Sequence, residues 1–269
     1  MSFKLVAIDL DDTLLDHSRV ISPRARAAIR AAVASGVTVT LATGRMYRSA
    51  LPYARQLELD VPLVTYNGAL IRCSGSDETL LHRPLAADTA AELLALFRER
   101  GWYVQVYLDD TLYVRERDAN ARYYEEIAGV EAVVVGDLLW SLPGVPTKLL
   151  AMAEPGRIGE INAAVVAAFG DRVYTAASKA NYLEITDPGV NKGAALDFLA
   201  KRMGITRDAV MAIGDSINDL DMIEYAGLGV AMGNASPRVK AAARAVTAAN
   251  DADGVAEAIE KYVLQASGR

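Results

Sequence analysis

KLVAIDLDDTL, residues 4–14, joins a short apolar run to a group of carboxylates. Residues 4–10 have the composition of a buried parallel strand, because such strands are covered on both faces and contain few polar side chains. Asp9, Asp11, Asp12 and Thr13 close the run. In a doubly wound sheet, ligands bind beyond the carboxyl ends of the strands. The stretch therefore predicts both a core strand and the position of a site.

The segments around residues 4–14 alternate between strand-like and helix-like patterns. Ser22-Pro23 is typical of a helix start and Gly36 of a helix end. The alternation returns near the carboxyl end, and strands separated by helices of this length predict βαβ units and a parallel sheet. The predicted strands are 4–10, 37–42, 62–66, 209–213, 228–232 and 245–248, and the predicted helices are 24–35, 46–57, 192–203, 218–225, 237–244 and 254–265.

The middle of the chain has a different, α+β pattern. Residues 102–108 and 111–116 flank an Asp109-Asp110 turn and predict a hairpin. This middle block is about 100 residues long, which is enough for an independent domain. Because both flanks share one pattern, we expect an inserted domain. The expected boundaries are a core of residues 1–82 and 186–269 and an insert of residues 83–185.

The composition excludes several classes of protein. The 269 residues are 52% hydrophobic, which excludes a mostly disordered chain. The net charge of −6 argues against nucleic acid as a partner, because binding to the phosphate backbone needs clustered Lys and Arg. Cys73 is the only cysteine, and His17 and His82 are the only histidines. These counts exclude an intramolecular disulfide, a cysteine-built metal cluster and a histidine-rich metal site.

The amino-terminal sequence does not resemble a signal peptide. Only four apolar residues separate Lys4 from Asp9, and no apolar run approaches the ~20 residues needed to cross a membrane. We therefore expect a cytoplasmic protein with no membrane partner. The sequence shows no heptad pattern, so it predicts no particular oligomeric state.

Polar side chains follow the predicted core strands and would meet at one edge of the sheet. Crowded carboxylates repel one another unless a cation lies between them, and oxygen ligands without His or Cys favour Mg²⁺. A Thr hydroxyl, a Lys ammonium and loop N–H groups suit a phosphate dianion. Together they indicate phosphoryl transfer with an Asp nucleophile. The residues at this edge are Asp9, Asp11, Asp12, Thr13, Thr43, Gly44, Arg45, Asn67, Gly68, Lys192, Gly214, Asp215, Asn218, Asp219 and Asp221.

Four motifs occur in the order found in the haloacid dehalogenase (HAD) superfamily and resemble its signatures. They are Asp9-Leu10-Asp11-Asp12-Thr13, Thr43-Gly44-Arg45, Asn191-Lys192-Gly193 and Gly214-Asp215-Ser216-Ile217-Asn218-Asp219. Asn67-Gly68-Ala69 and Tyr182-Leu183-Glu184-Ile185 also resemble the Cof-type subfamily, which has a class IIB cap. The resemblance covers essentially the whole chain. It implies an α/β fold, with a Rossmann-like doubly wound parallel sheet core and an inserted α+β cap domain.

The resemblance also implies a role for each site residue. Asp9 would attack phosphorus and bind Mg²⁺, and Asp215 would be a further metal ligand. Asp11 would act as general acid and base, which requires a raised pKa, while its main-chain carbonyl binds the metal. Asp219 would be an outer partner of metal-bound water or of Lys192. The implied phosphate-binding residues are Thr43, Gly44, Lys192 and Asn218.

Ordinary structural roles are the alternative for these residues. Asp9 and Asp11 would then close a strand, and Asn218 and Asp219 would cap a helix. A lysine at a helix start is electrostatically unfavourable, so Lys192 indicates an anion nearby.

Two positions depart from the family pattern. Asp12 and Ser216 stand where the family often has glycine, which alters loop flexibility near the metal but removes no catalytic group.

We therefore expect a Mg²⁺-dependent phosphatase that acts on a small phosphorylated metabolite, such as a sugar phosphate, through an aspartyl-phosphate. A cap would exclude bulk water and favour small substrates over phosphoproteins. One alternative is a phosphomutase of the phosphomannomutase type, which returns the phosphoryl group to substrate. A second is a non-catalytic phosphate-sensing regulator like a receiver domain. Receivers carry their acceptor Asp after the third strand, where this chain has Asn67.

Overall fold

A computed structural model describes residues 2–265 of the chain. Contacts divide these residues into two units. The first unit contains the chain up to Gly44, Ala50–Leu80, and the chain from Asn191 onward. The second unit contains Arg45–Ser49 and Leu81–Val190.

Strands and helices account for most of the described chain. The strands are β1 Leu5–Ile8, β2 Thr38–Leu41, β3 Pro62–Thr65, β4 Leu70–Cys73, β5 Thr79–His82, β6 Val104–Leu108, β7 Thr111–Val114, β8 Val133–Val134, β9 Lys148–Met152, β10 Tyr174–Lys179, β11 Tyr182–Thr186, β12 Val210–Gly214, β13 Leu228–Ala231 and β14 Ala245–Val246. The helices are α1 Pro23–Ala34, α2 Tyr47–Gln56, α3 Ala87–Arg100, α4 Ala119–Ala128, α5 Pro155–Phe169, α6 Lys192–Arg202, α7 Leu220–Tyr225, α8 Pro237–Ala242 and α9 Gly254–Ile259.

The first unit is built on a parallel sheet in the order β14-β13-β12-β1-β2. β1 pairs with β12 on one side and β2 on the other, both in parallel. All four residues of β1 are fully buried, as expected for a strand covered on both faces. Helix α1 contacts α9, and α6 contacts α7. This sheet confirms the predicted doubly wound α/β fold.

The order of the sheet determines where a ligand can bind. The chain continues from β1 to β2 on one side, and β12, β13 and β14 extend the sheet on the other. In open α/β sheets, ligands bind beyond the carboxyl ends of the strands at the point where the strand order reverses. The loops that follow β1 and β12 meet there.

A small sheet of β3, β4 and β5 follows β2. β3 lies beside β2 through a parallel bridge between Ala42 and Val64. β4 pairs with β3 in antiparallel orientation. The sequence predicted β3, but β4 and β5 were not predicted.

The second unit has a six-stranded sheet in the order β10-β11-β9-β6-β7-β8. Its neighbours are antiparallel except β7 and β8. Helices α3 and α5 contribute residues such as Phe97 and Val165 to a core shared with Val106 and Leu149 of the strands. The predicted hairpin is confirmed as β6 and β7, and both turn residues, Asp109 and Asp110, have positive φ.

No helix within residues 2–265 is both long and apolar enough to cross a membrane.

Candidate functional site

The turn after β1 carries the first two candidate carboxylates. Asp9 directly follows β1, is 5% exposed, and its N–H donates to the carbonyl of Ile213 in β12 at 3.0 Å. Asp11 follows one residue later and is half-buried. Asp12 has a φ of 57°, in the left-handed region where glycine is usual. Asn234 supports this turn, since its Nδ2 donates to the carbonyl of Asp12 at 2.8 Å.

The loop after β12 carries the second group of carboxylates. Asp219 is fully buried, and its Oδ2 accepts hydrogen bonds from the N–H groups of Asp215 at 3.0 Å and Ser216 at 2.9 Å. A Cβ on Gly214 would lie 2.6 Å from the Cβ of Asp219, so the loop can close this tightly only with glycine there. The side chain of Asp219 thus fixes the main chain of residues 214–216.

Lys192 joins the two loops. It is the first residue of α6 and is fully buried. Its Nζ donates to Oδ1 of Asp9 and to Oδ1 of Asp219, each at 2.6 Å. Burial lowers the pKa of Lys192, but the charges and hydrogen bonds of Asp219 and Asp9 outweigh burial and raise that pKa well above its ordinary value. Lys192 therefore stays an ammonium, and one of its three N–H groups is left for a further acceptor.

Carboxylate oxygens of Asp9, Asp215 and Asp219 lie within 4.8 Å of one another. Burial raises the pKa of Asp9 well above its ordinary value, and the charge of Asp219 adds to this effect. The charge of Lys192 acts in the opposite direction. Burial, again followed by the charge of Asp219, raises the pKa of Asp215 to about 6. Asp11 lies outside this group of converging oxygens, but its charge also contributes to the raised pKa of Asp9.

The hydroxyls of two neighbours hold the Asp215 side chain. Thr13 Oγ1 donates to Oδ1 at 2.8 Å, and Ser216 Oγ donates to Oδ2 at 2.9 Å. Asp9 differs from Asp215, because no donor within residues 2–265 contacts its Oδ2. Asp9 thus keeps one carboxylate oxygen available for a ligand or a reaction.

The loops after β2 and β3 form another part of the site. Thr43 is buried, and its N–H donates to the carbonyl of Val64 at 2.9 Å. The N–H of Asn67 donates to the carbonyl of Thr43 at 3.0 Å, and Nδ2 of Asn218 donates to Oδ1 of Asn67 at 3.0 Å. A Cβ on Gly44 would lie 3.0 Å from Oδ1 of Asn67, which keeps this position small. These bonds connect Asn218, in the loop after β12, to the Thr43 loop.

The residues to which the motifs assign a role all lie in the first unit, in the loops after its strands or at the start of α6, whereas Arg45, also expected at this edge, belongs to the second unit. The structure brings Asp9, Asp215, Asp219 and Lys192 into direct contact or close approach. Asn234 was not among the residues predicted at this edge of the sheet, whereas Thr13 and Asn67 were placed there without an individual role. No local signal marks Asn234, which is 222 residues from its partner Asp12.

The donor set fits a hard divalent cation. Every side-chain ligand it offers is oxygen, and burial together with the charge of Asp219 raises the pKa values of Asp9 and Asp215, so their ionised forms are unfavourable without a counter-charge. Lys192 already occupies Oδ1 of Asp9 and Oδ1 of Asp219. The oxygens of Asp215 are therefore best placed for a cation, and Asp9 would share its carboxylate between Lys192 and the cation.

Comparison with known proteins agrees with the motifs. The family model for haloacid dehalogenase-like hydrolases matches residues 6–259. The 5-amino-6-(5-phospho-D-ribitylamino)uracil phosphatase YitU of Bacillus subtilis is 32% identical over 96% of this chain and 97% of its own. The HMP-PP phosphatase of Serratia proteamaculans is 30% identical over 88% of this chain and 86% of its own.

A solved structure agrees with these matches. The crystal structure of a haloacid dehalogenase-like hydrolase from Bacteroides thetaiotaomicron superposes with a TM-score of 0.90 at 30% identity, over 97% of this chain and 99% of that one. The resemblance drawn from the four motifs is confirmed, and the named relatives are phosphatases. The chain therefore belongs to the haloacid dehalogenase-like hydrolases and is an enzyme of their phosphatase type.

Proposed function

We propose that the protein is a Mg²⁺-dependent phosphatase that hydrolyses a small phosphomonoester, such as a sugar phosphate, through an aspartyl-phosphate on Asp9. The observation that carries this proposal is the arrangement of Asp9. Lys192 holds Oδ1 of Asp9 at 2.6 Å, while no donor within the described residues contacts Oδ2. A buried carboxylate with one oxygen fixed and the other available has the geometry of an oriented nucleophile.

The first half-reaction transfers the phosphoryl group to the protein. Oδ2 of Asp9 attacks phosphorus, and the bond between phosphorus and the leaving oxygen breaks. Asp11 donates a proton to that oxygen, so the product leaves as an alcohol. Lys192 and Thr43 hold the phosphoryl oxygens, with the third N–H of Lys192 as one donor.

The second half-reaction returns Asp9 to its starting state. Asp11, now a carboxylate, takes a proton from a water molecule as the water oxygen attacks phosphorus. The bond between phosphorus and Asp9 breaks, which releases inorganic phosphate and regenerates the Asp9 carboxylate. Asp219 keeps Lys192 and the loop of Asp215 in place throughout.

Asp9, Asp215 and the main-chain carbonyl of Asp11 would hold the cation. When bound, Mg²⁺ supplies positive charge that offsets the repulsion between the Asp9 carboxylate and a phosphate dianion.

We propose that residues 83–185 act as the cap that selects the substrate. The two phosphatases reported above are similarly close to this chain but are named for different substrates. Overall similarity therefore does not identify the substrate, and the choice has to depend on residues that differ among relatives. A cytoplasmic location fits a phosphorylated metabolite as substrate, and we propose it for this protein.

The proposal is tested by phosphate release from an aryl phosphate, with and without Mg²⁺. We expect turnover only with the metal, and a loss of roughly 10⁴-fold in kcat for Asp9→Asn, because the amide cannot form the aspartyl-phosphate. Metal-independent turnover, or an unchanged kcat in Asp9→Asn, would contradict the mechanism. Circular dichroism of the variant controls for folding.

Two further measurements address substrate and reaction type. A panel of phosphorylated sugars and heterocycles, compared by kcat/KM, would identify the substrate class. Product analysis with a hexose phosphate separates the phosphatase from a phosphomutase, since only a mutase yields an isomeric sugar phosphate. We expect inorganic phosphate and free sugar.

A further inference from the structure

The Asp215 carboxylate is held on both of its oxygens. Thr13 Oγ1 contacts Oδ1 at 2.8 Å, and Ser216 Oγ contacts Oδ2 at 2.9 Å. Thr13 lies in the loop after β1, and Ser216 lies in the loop after β12. Thr13 and Asp215 are 202 residues apart in the chain. Rotation of the carboxylate about its Cβ–Cγ bond would break one or both hydrogen bonds. Its plane is therefore fixed by two independent parts of the first unit.

Ser216 is itself anchored. Its N–H donates to Oδ2 of the fully buried Asp219 at 2.9 Å. Its φ of −108° lies in the extended region, so the backbone does not require glycine at this position. The hydroxyl is thus added without conformational strain and has a defined direction towards Asp215.

The orientation of a carboxylate influences which cation it prefers. Ca²⁺ takes six to eight oxygen ligands in flexible geometry and often uses both oxygens of one carboxylate, whereas Mg²⁺ requires near-octahedral geometry with short bonds. Each Asp215 oxygen already has one lone pair engaged by a hydroxyl. Turning the carboxylate so that both oxygens meet one cation would break at least one of these bonds.

We propose that Ser216 is a positioning residue that orients the Asp215 carboxylate so that only one of its oxygens can bind the cation. This orientation favours Mg²⁺ over Ca²⁺ at the site. This inference rests on the proposed function, because it assumes a divalent cation at Asp9 and Asp215. Ser216 acts through Asp215 and does not itself contact the substrate or the cation. Thr13 supplies the matching restraint on the other oxygen.

The experiment measures the thermal unfolding midpoint of metal-stripped protein during titration with MgCl₂ or with CaCl₂. The midpoint rises as a cation binds the folded state, so each titration yields an apparent Kd without reference to activity. The native chain is compared with Ser216→Ala, which keeps the Cβ but removes the hydroxyl. Ser216→Thr keeps a hydroxyl, and Ser236→Ala removes an exposed serine from the same unit as a matched control.

We expect the ratio of the Ca²⁺ Kd to the Mg²⁺ Kd to fall about tenfold in Ser216→Ala, which is the low end of the effects seen when outer partners of metal ligands are removed. Ser216→Thr and Ser236→Ala should keep the native ratio. Ser216→Cys, whose thiol is a weaker donor, should give an intermediate ratio and covers the case in which Ser216→Ala does not fold.

Two results overturn this inference and are distinguishable from failure of the proposed function. If Ser216→Ala leaves both Kd values unchanged, or changes them by the same factor, Ser216 does not set the preference. A ratio in Ser216→Thr as low as in Ser216→Ala would show that the hydroxyl is not responsible. If the native chain responds to neither cation, the metal site itself is wrong, and the proposed function fails with it.

Discussion

Lys192 is the residue on which the site depends most for its stability. It is fully buried between Asp9 and Asp219, with both N–O distances at 2.6 Å. Replacing it by methionine keeps the apolar stem but leaves two buried carboxylates without a counter-charge. We expect Lys192→Met to reduce the free energy of unfolding by about 3 kcal/mol, the lower end for breaking a buried ion pair, because Asp9 can relieve part of the cost by taking up a proton. Urea unfolding measures this change.

Lys201 provides the matched control within the same helix. It is 75% exposed, and it forms an i,i+4 pair with Asp197. Exposed pairs of this kind contribute little, so Lys201→Met should leave the unfolding midpoint nearly unchanged. Equal losses in the two variants would show that Lys192 is not stabilised by its position between the carboxylates.

The sequence indicated the carboxylates of the site but not how they converge. Asp9, Asp215 and the main-chain carbonyl of Asp11 were predicted as metal ligands, and Asp219 as an outer partner of metal-bound water or of Lys192, whose Nζ donates to Oδ1 of Asp219 in the structure. In the structure the side-chain oxygens of Asp9, Asp215 and Asp219 come together, and Asp11 lies at the margin. Asp219 accepts from the amides of Asp215 and Ser216, and the Ser216–Asp219 spacing is that of a capping box, which the sequence contains. The approach of Asp219 to Asp9 instead depends on the fold, which brings the loops after β1 and β12 together.

At the scale of elements, the start of α2 depends on a carboxylate from the β6–β7 turn. Oδ1 of Asp110 accepts from the N–H of Tyr47, and Oδ2 from the N–H of Arg48, both at 2.9 Å. These amides are among the donors that lack a partner within their own helix. We expect Asp110→Ala to destabilise the protein by about 1–2 kcal/mol, as for loss of an N-cap. Hydrogen exchange at the amides of Tyr47 and Arg48 should become faster.

Asp109 is a close control for this substitution. It precedes Asp110 in the same turn, also has positive φ, and is exposed. Asp109→Ala therefore introduces comparable backbone strain without removing the cap. If it accelerates exchange at Tyr47 and Arg48 as much as Asp110→Ala does, the effect comes from the turn and not from the carboxylate.

The elements themselves were largely predictable where the sequence contains explicit boundary signals. Ser22 caps α1, accepting from the N–H of Ala25 at 3.0 Å, with Pro23 in the first helical position as predicted. Strands β4 and β5 were not predicted because they are short and partly exposed, so they lack a continuous apolar run. They form by pairing in the sheet with β3, which a local pattern cannot indicate.

At the scale of the whole molecule, the division into two units depends on contacts between residues that are far apart along the chain. Arg45–Ser49 belong to the second unit although the residues on both sides of them belong to the first. The Asp110 cap and the bond from Ser49 Oγ to the carbonyl of Ala128 explain this assignment. Both contacts join residues more than 60 positions apart. The change of pattern along the chain predicted an interruption, but it could not have indicated this five-residue segment.

The proposed cap leads to a prediction about substrate size. A cap over the site admits small molecules and excludes a phosphorylated side chain on a folded protein. We expect kcat/KM for free phosphorylated metabolites to exceed that for a phosphoserine-containing protein by at least about a hundredfold. Phosphate release from both substrates under the same Mg²⁺ concentration measures the ratio. Comparable rates would contradict the role given to residues 83–185.

The central claim, that Asp9 receives the phosphoryl group, is tested most directly by a rapid-quench experiment on Asp11→Asn with 4-nitrophenyl phosphate. The nitrophenolate leaves without protonation, so the first step should proceed, whereas hydrolysis of the aspartyl-phosphate lacks its general base. We predict a burst of about one equivalent of nitrophenolate, and mass spectrometry should find one phosphoryl group on Asp9. The double variant Asp9→Asn/Asp11→Asn should show neither. No burst, or a phosphoryl group on another residue, would contradict the account.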